Sequence, residues 1–269
     1  SSDLEIHDGL KAFSQNRWPS LAMDFGAIND RLGMFFPAGF YNKTFMWPRS
    51  FWDRVYEPAI RKMAGLGEAP TAEDPDVYAS TYAHCDLLII GAGPAGIDAA
   101  LGAMDTNKRI VLIDEQDELG GGALADPALW PWLERSVKAL ANAANVTILT
   151  RTTAFGYYHD NFIGAVQRLT DQSPEITDTP REKLWRIRAG EVVLAQGAIE
   201  RPLVFDGNDT PGVMLSSAAK VYANRYGVAV GKAPALMASH DSGWHDVFAL
   251  AKAGMSISAI IDVRDSVDS

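Results

Sequence analysis

The chain has 269 residues, 47% hydrophobic and 22% charged, which suits one or two globular domains, each able to bury a core. A formal net charge of −10 argues against nucleic acid as a partner, and no apolar run nears the roughly 20 residues of a membrane helix. The acidic start SSDLEIHD carries no signal-peptide pattern, and Cys85 as the only cysteine excludes an internal disulfide or dithiol chemistry, so the expected compartment is the cytoplasm.

Residues 1–66 are aromatic-rich and irregular, with Trp18, Trp47 and Trp52 and four prolines. Within FWDRVYEPAIRKMAGLG (51–67), Phe51, Val55, Ile60 and Met63 fall at roughly helical spacing, and Gly65 and Gly67 supply stop signals. EAPTAEDPDVYASTYA (68–83) is acidic, polar and proline-bearing and reads as a linker. CDLLII (85–90) is an apolar run of the kind buried on both faces of a sheet. A glycine cluster follows, then a helix from about Pro94 to Asp105 and a second strand, RIVLID (109–114), which together predict a right-handed βαβ unit.

A helix is expected over 128–143, followed by short strands in VTILT, TTAFGYY, FIGAVQRL, LWRIRA and EVVLAQG. That density suggests a β-meander, at about 145–195, inserted in a larger α/β domain, with DQSPEITDTPRE (171–182) as a loop within it. A helix at 215–226 precedes a second strand–helix–strand pattern, APALMAS to SISAIIDV. The first residue is not Met and the chain stops just past that run, so a piece of something longer is expected. The expected division is an extension and linker over 1–83, a dinucleotide-binding domain over 84–232, and the start of a second, truncated nucleotide-binding unit over 233–269.

The chemistry is carried by Gly91-Ala92-Gly93-Pro94-Ala95-Gly96 between strand and helix. Gly91 permits the tight turn, Gly93 lets the backbone approach a pyrophosphate, and Gly96 lets the helix pack close to the sheet. Pro94 suits the first helical turn, whose free N–H groups and positive dipole end face the phosphates. Asp114 and Glu115 stand at the tip of the second strand, where an acid accepts hydrogen bonds from ribose hydroxyls. Glu115, nineteen residues past Gly96, is the preferred one, and a carboxylate there disfavours the 2′-phosphate of NADP. Gly120 and Gly121 read either as a close passage beside the cofactor or as a flexible turn. Ala195 and Gly197, at the end of EVVLAQG, suit a chain returning beneath the nucleotide.

The last unit lacks the glycine fingerprint. Its loop HDSGWHD has one glycine and two aspartates, and Asp262 at its strand tip is a candidate ribose acid. The five histidines show no metal-ligand spacing, so no metal is expected, and no residue has a claim as catalytic base.

NRWPSLAMDFGAIND (16–30), FFPAGFYNKTFMWP (35–48) and FWDRVYEPAIRKMAGLG (51–67) resemble the alpha subunit of heterotetrameric sarcosine oxidase, as do HCDLLIIGAGPAGIDAA, IDEQDELGG, AIERPLVFDGNDTPGVM and NRYGV. Opine oxidase and dye-linked proline dehydrogenase subunits are similar. The resemblance implies an α/β, Rossmann-like FAD/NAD(P)-binding domain of the glutathione-reductase type, with NAD held by Gly91, Gly93, Gly96 and Glu115. It implies beta, gamma and delta partner subunits, with FAD in the beta subunit, FMN near the alpha–beta contact, and oxidative demethylation of sarcosine to glycine. One departure is Ala195-Gln196-Gly197, where that family usually has A-T-G. Two alternatives stand beside this: a self-sufficient FAD-dependent oxidoreductase, since FAD domains begin the same way, and a non-catalytic scaffold.

Overall fold

The computed structural model describes residues 8–11, 17, 19–20, 22–28, 45, 47–65, 71, 73–170, 178–208 and 210–265. The chain divides into an N-terminal unit that ends at Asp76 and a second unit that starts at Val77. In the first, a π-helical turn, Trp52–Tyr56, leads into helix α1 (Glu57–Met63), where Glu57 and Arg61 form an ion pair at 2.7 Å. Tyr56 stacks near Phe45 and Phe51 and donates its hydroxyl to the Trp47 carbonyl. Of the resembling segments, 35–48 lies largely outside the described residues, whereas 16–30 is described at 17, 19–20 and 22–28.

The second unit is built on a six-stranded sheet in the order β3-β2-β1-β6-β5-β4. Its strands are β1 (Tyr78–Ile90), β2 (Ile110–Ile113), β3 (Val146–Leu149), β4 (Thr152–Tyr158), β5 (Phe162–Arg168) and β6 (Glu182–Leu194). β1 pairs parallel with β2 and β6, β2 pairs parallel with β3, and β4, β5 and β6 pair antiparallel. Helix α2 (Pro94–Met104) connects β1 to β2, and α3 (Trp130–Asn142) connects β2 to β3. The apolar run of β1 is buried on both faces, as its lack of polar alternation requires. Leu87 and Ile89 face α2 and α3 through Ile97, Ala100, Leu133 and Leu140, while Leu88 and Ile90 face Ile163 and Ile187 of the meander.

Three expectations need correction. The stretch 68–83 is not linker throughout, because β1 begins at Tyr78 and pairs with β6 from its first residue. VTILT belongs to the parallel sheet rather than to the meander, which is β4 to β6 alone. LWRIRA and EVVLAQG are one strand, whose register with β1 runs without slip from Tyr78↔Glu182 to Ile90↔Leu194. Gly190 between them is no break. A Cβ there would stand 2.9 Å from the Asp86 carbonyl oxygen, so glycine is what lets the two strands stay adjacent.

Helix α4 (Ser216–Asn224) leads to a two-stranded parallel sheet of β7 (Ala235–Ala238) and β8 (Ala259–Asp262), joined by α5 (Asp241–Lys252). The expected second strand–helix–strand unit is therefore formed.

Candidate nucleotide site

Gly91 ends β1 with φ +100°, and its N–H donates to the Ile113 carbonyl at 2.9 Å. A side chain there would collide with the carbonyl of Ala195, whose own N–H is held by Ile90. A side chain at Gly96 would collide with the Gly91 carbonyl oxygen. Both glycines are thus demanded by close backbone passage at the crossing of β1, α2 and β6.

Gly93 is different. Its φ of −69° and extended ψ are open to any residue, and among the described residues nothing lies within 4 Å of where a Cβ would point. Neither local backbone nor packing calls for glycine. Among the described residues no side chain caps α2, and Pro94 and Ala95 at its start are exposed. The first turn of the helix therefore presents uncapped N–H groups beside open space.

The strand-tip acids divide their work. Asp114 is half-buried, and its carboxylate accepts the Ala92 N–H at 2.5 Å and the Gln116 N–H at 2.9 Å. It ties the glycine loop to the end of β2. Glu115 is exposed, with its main-chain carbonyl held by the Arg168 guanidinium at 2.7 Å. Gly120 donates its N–H to the Ala92 carbonyl at 2.8 Å, and a Cβ on Gly121 would stand 3.0 Å from Gly93 Cα. The second glycine cluster is therefore pressed against the first. Of the residues singled out from sequence, Gly91 to Gly96, Asp114, Glu115, Gly120, Gly121 and Ala195 come together. Gly197, with φ +73°, is exposed and, among the described residues, has nothing within 4 Å of its Cβ position.

Sequence reasoning missed the supports from the meander end. Thr152 donates its N–H to the Asp114 carbonyl at 2.7 Å and Arg151 to that of Gln116 at 2.8 Å. These partners lie 35 and more residues from the turn they hold, and no local pattern announces them.

The β7–α5–β8 unit repeats the geometry with other residues. A Cβ on Gly243 would stand 2.7 Å from that of Ala238, so Gly243 occupies the packing position that Gly96 holds in the first unit. At the same spacing, Ala238 and His240 stand where Gly91 and Gly93 stand. Asp241 opens α5, and Arg264 bridges it at 2.8 Å and Asp262 at 2.8 Å. Trp244 Nε1 also donates to Asp262 at 2.8 Å. The hydrogen bonds from Arg264, then that from Trp244, hold the Asp262 carboxyl far below the usual range. The candidate ribose acid of this unit is already satisfied within the protein.

Where Ser216 donates its hydroxyl to Asp246 of α5, Glu200 receives the N–H groups of Ser216 and Ser217 at the start of α4. Burial pushes its carboxyl up, but the bonds from Ser217 and Ser216 outweigh that and leave it lowered. Asp246, 6% exposed, pairs with Lys220 at 2.6 Å. A cavity of about 400 Å³, whose lining includes Glu200, Phe205, Met214 and Leu236, adjoins this cluster and not the glycine loop. Among the described residues, no group of acids, histidines and cysteine could hold a metal ion, and no helix is long and apolar enough to cross a membrane.

Sarcosine oxidase subunit alpha of Rhizobium meliloti (strain 1021) is 49% identical over 267 residues, 97% of this chain and 27% of that one. Sarcosine oxidase subunit alpha of Corynebacterium sp. (strain P-1) is 41% identical over 215 residues, 76% of this chain and 22% of that one. The chain thus spans about a quarter of the length of these curated relatives. Among solved structures, L-proline dehydrogenase from P. horikoshii is similar at 27% identity with a TM-score of 0.56, over 74% of this chain and 38% of that one. The family of pyridine nucleotide-disulphide oxidoreductases matches residues 85–234, from within β1 to the residue before β7. That span is more than half of the chain, and with a mixed sheet, a glycine loop and a strand-tip acid in its frame, the chain belongs to the pyridine nucleotide-disulphide oxidoreductase family.

Proposed function

We propose that this chain is the NAD-holding module of the alpha subunit of a sarcosine-oxidase-like complex. The observation that carries the reading is Gly93, a glycine that the fold does not require, beside an uncapped helix start. A bound diphosphate gives that glycine its reason, since a side chain would stand in its way. Gly93 and the first-turn N–H groups of α2 would receive the diphosphate, with Pro94 and Ala95 leaving its approach clear. Glu115 would accept the ribose hydroxyls, and Gly120 and Gly121 would flank the loop. Ala195 closes the floor beneath Gly91, and Gly197 would pass on the ligand side. Asp114 holds the loop rather than the ligand.

When bound, NAD supplies a two-electron acceptor or a structural nucleotide, and this chain's residues bind and orient it. Oxidative demethylation of sarcosine to glycine would take place on a flavin, FAD or FMN, in or near beta, gamma and delta type partners. The name of the 49% identical relative supports that substrate. No residue of this chain is assigned as catalytic, and Cys85 alone and buried offers no dithiol.

A second reading is a self-sufficient FAD-dependent oxidoreductase, favoured by the close stacking of Gly121 on Gly93 behind the acid. The test is the visible spectrum of the purified protein, with mass spectrometry of nucleotide released on denaturation. NAD without flavin on this subunit is the expected result. Released FAD would replace the reading by the second one, and a folded subunit that holds neither would make it a scaffold.

A further inference from the structure

We propose that Arg168, on the meander and far from the glycine loop in sequence, is a positioning residue that sets Glu115 for recognition of a nucleotide's ribose. The inference rests on the reading of the glycine loop as a nucleotide site and concerns the ADP half that NAD and FAD share.

The turn after β2 has no regular structure of its own, yet it must hold an acid in one place. Asp114 is fixed through its own carboxylate by two backbone N–H groups. Among the described residues Glu115 has no such anchor on its side chain, which is exposed. What orients it is the main chain, and that is held from the meander. Thr152, at the start of β4 and 1% exposed, bonds the Asp114 carbonyl, and Arg151 bonds that of Gln116. Between these two, the Glu115 carbonyl is taken by the Arg168 guanidinium at 2.7 Å, a contact that spans 53 residues. Arg168 is itself set by its N–H to the Arg151 carbonyl at 2.9 Å and by its register opposite Glu182 on β6.

Three successive carbonyls, 114 to 116, are therefore gripped by one edge of the meander, and the middle grip comes from the only side chain among the three. A charge-assisted bond to a carbonyl is the stronger kind. Removing it frees the peptide that carries Glu115, so that holding the ribose would first require ordering the acid.

The test compares ADP with 2′,3′-dideoxy-ADP, which lacks the ribose hydroxyls, by titration against the full chain and its variants. Unmodified protein should prefer ADP by about tenfold or more, the ordinary worth of bonds to a carboxylate. Glu115→Ala, which leaves no acceptor, should bring the ratio close to one, and Arg168→Met should do the same with dideoxy-ADP affinity little changed. Arg168→Lys, which keeps one cationic donor, should restore most of the preference. A merely structural role would weaken both ligands alike and leave the ratio intact. If Glu115→Ala removes the preference and Arg168→Met keeps it, the positioning role is overturned while the site stands. If Glu115→Ala leaves the preference intact, the site reading itself fails and this inference with it. Should Arg168→Met not fold, Arg168→Gln reads the same ratio, and an unchanged value there overturns the proposal.

Discussion

The two strand–helix–strand units of this chain can be laid over one another residue by residue at their loops. Gly91, Gly93 and Gly96 in the first correspond to Ala238, His240 and Gly243 in the second. The position retained in both is the one where helix and strand press together, with Gly96 against the Gly91 carbonyl and Gly243 against Ala238. The position that differs most is the middle one, which packing leaves open in the first unit and which carries an imidazole in the second. The strand tips differ in the same sense. By register Asp262 is the counterpart of Asp114, each accepting the N–H two residues on, and Val263 stands where the first unit has the exposed Glu115. Asp241 also brings a negative charge to the start of α5, where a phosphate would have to come. The comparison separates what a βαβ unit needs in order to fold from what it needs in order to take a nucleotide.

The sharpest way to break that separation is at Gly93. Gly93→Val should lower nucleotide affinity by more than about a hundredfold, since it blocks the diphosphate, yet shift thermal stability by less than about 0.5 kcal/mol. Loss of stability of the size seen at a packed site would show that the fold did need this glycine. Gly96→Val should do the reverse and cost about 3 kcal/mol or more by collision with backbone, read as a drop in melting temperature. Next in size is Asp114→Ala, which strands the Ala92 and Gln116 N–H groups and should cost about 1–3 kcal/mol in denaturant unfolding. Glu115→Ala, one residue on, should leave that midpoint in place.

The smallest effect concerns acid. The Asp262 carboxyl is held below its ordinary value, so its contribution is fully present above about pH 4, the usual unfolded value, and fades as pH falls. The β7–α5–β8 unit should therefore loosen as pH drops below about 4, seen as a rise in hydrogen exchange along α5. Arg264→Gln should lower protection at neutral pH and flatten its dependence on acid, because the folded carboxyl then lies closer to its unfolded value. Equal protection at pH 3 and pH 7 would remove the bridge from the account.

Much of this was legible in the sequence because it is local. The two-faced run CDLLII, the glycine spacing and the acid at the next strand tip lie within thirty-one residues, and each reports a backbone need. The boundaries at Tyr78 and Gly190 were misread for a physical reason. YASTYAH alternates aromatic or polar with small residues and has no apolar run, although tyrosine and threonine favour strands. Gly190 resembled a turn but serves a close strand approach. Arg168 was invisible, because its partner is a carbonyl, which leaves no mark on residue identity. Asp114 and Glu115 could be named as a pair, but only their hydrogen bonds divide the locking acid from the exposed one.

The most direct test is a calorimetric titration of the full chain with NAD, beside the same titration of Gly93→Val and of Arg264→Gln. The account predicts one site in the unmodified protein, none in Gly93→Val, and one of unchanged affinity in Arg264→Gln. A site that survives Gly93→Val would place the nucleotide elsewhere and contradict the division drawn between the two units.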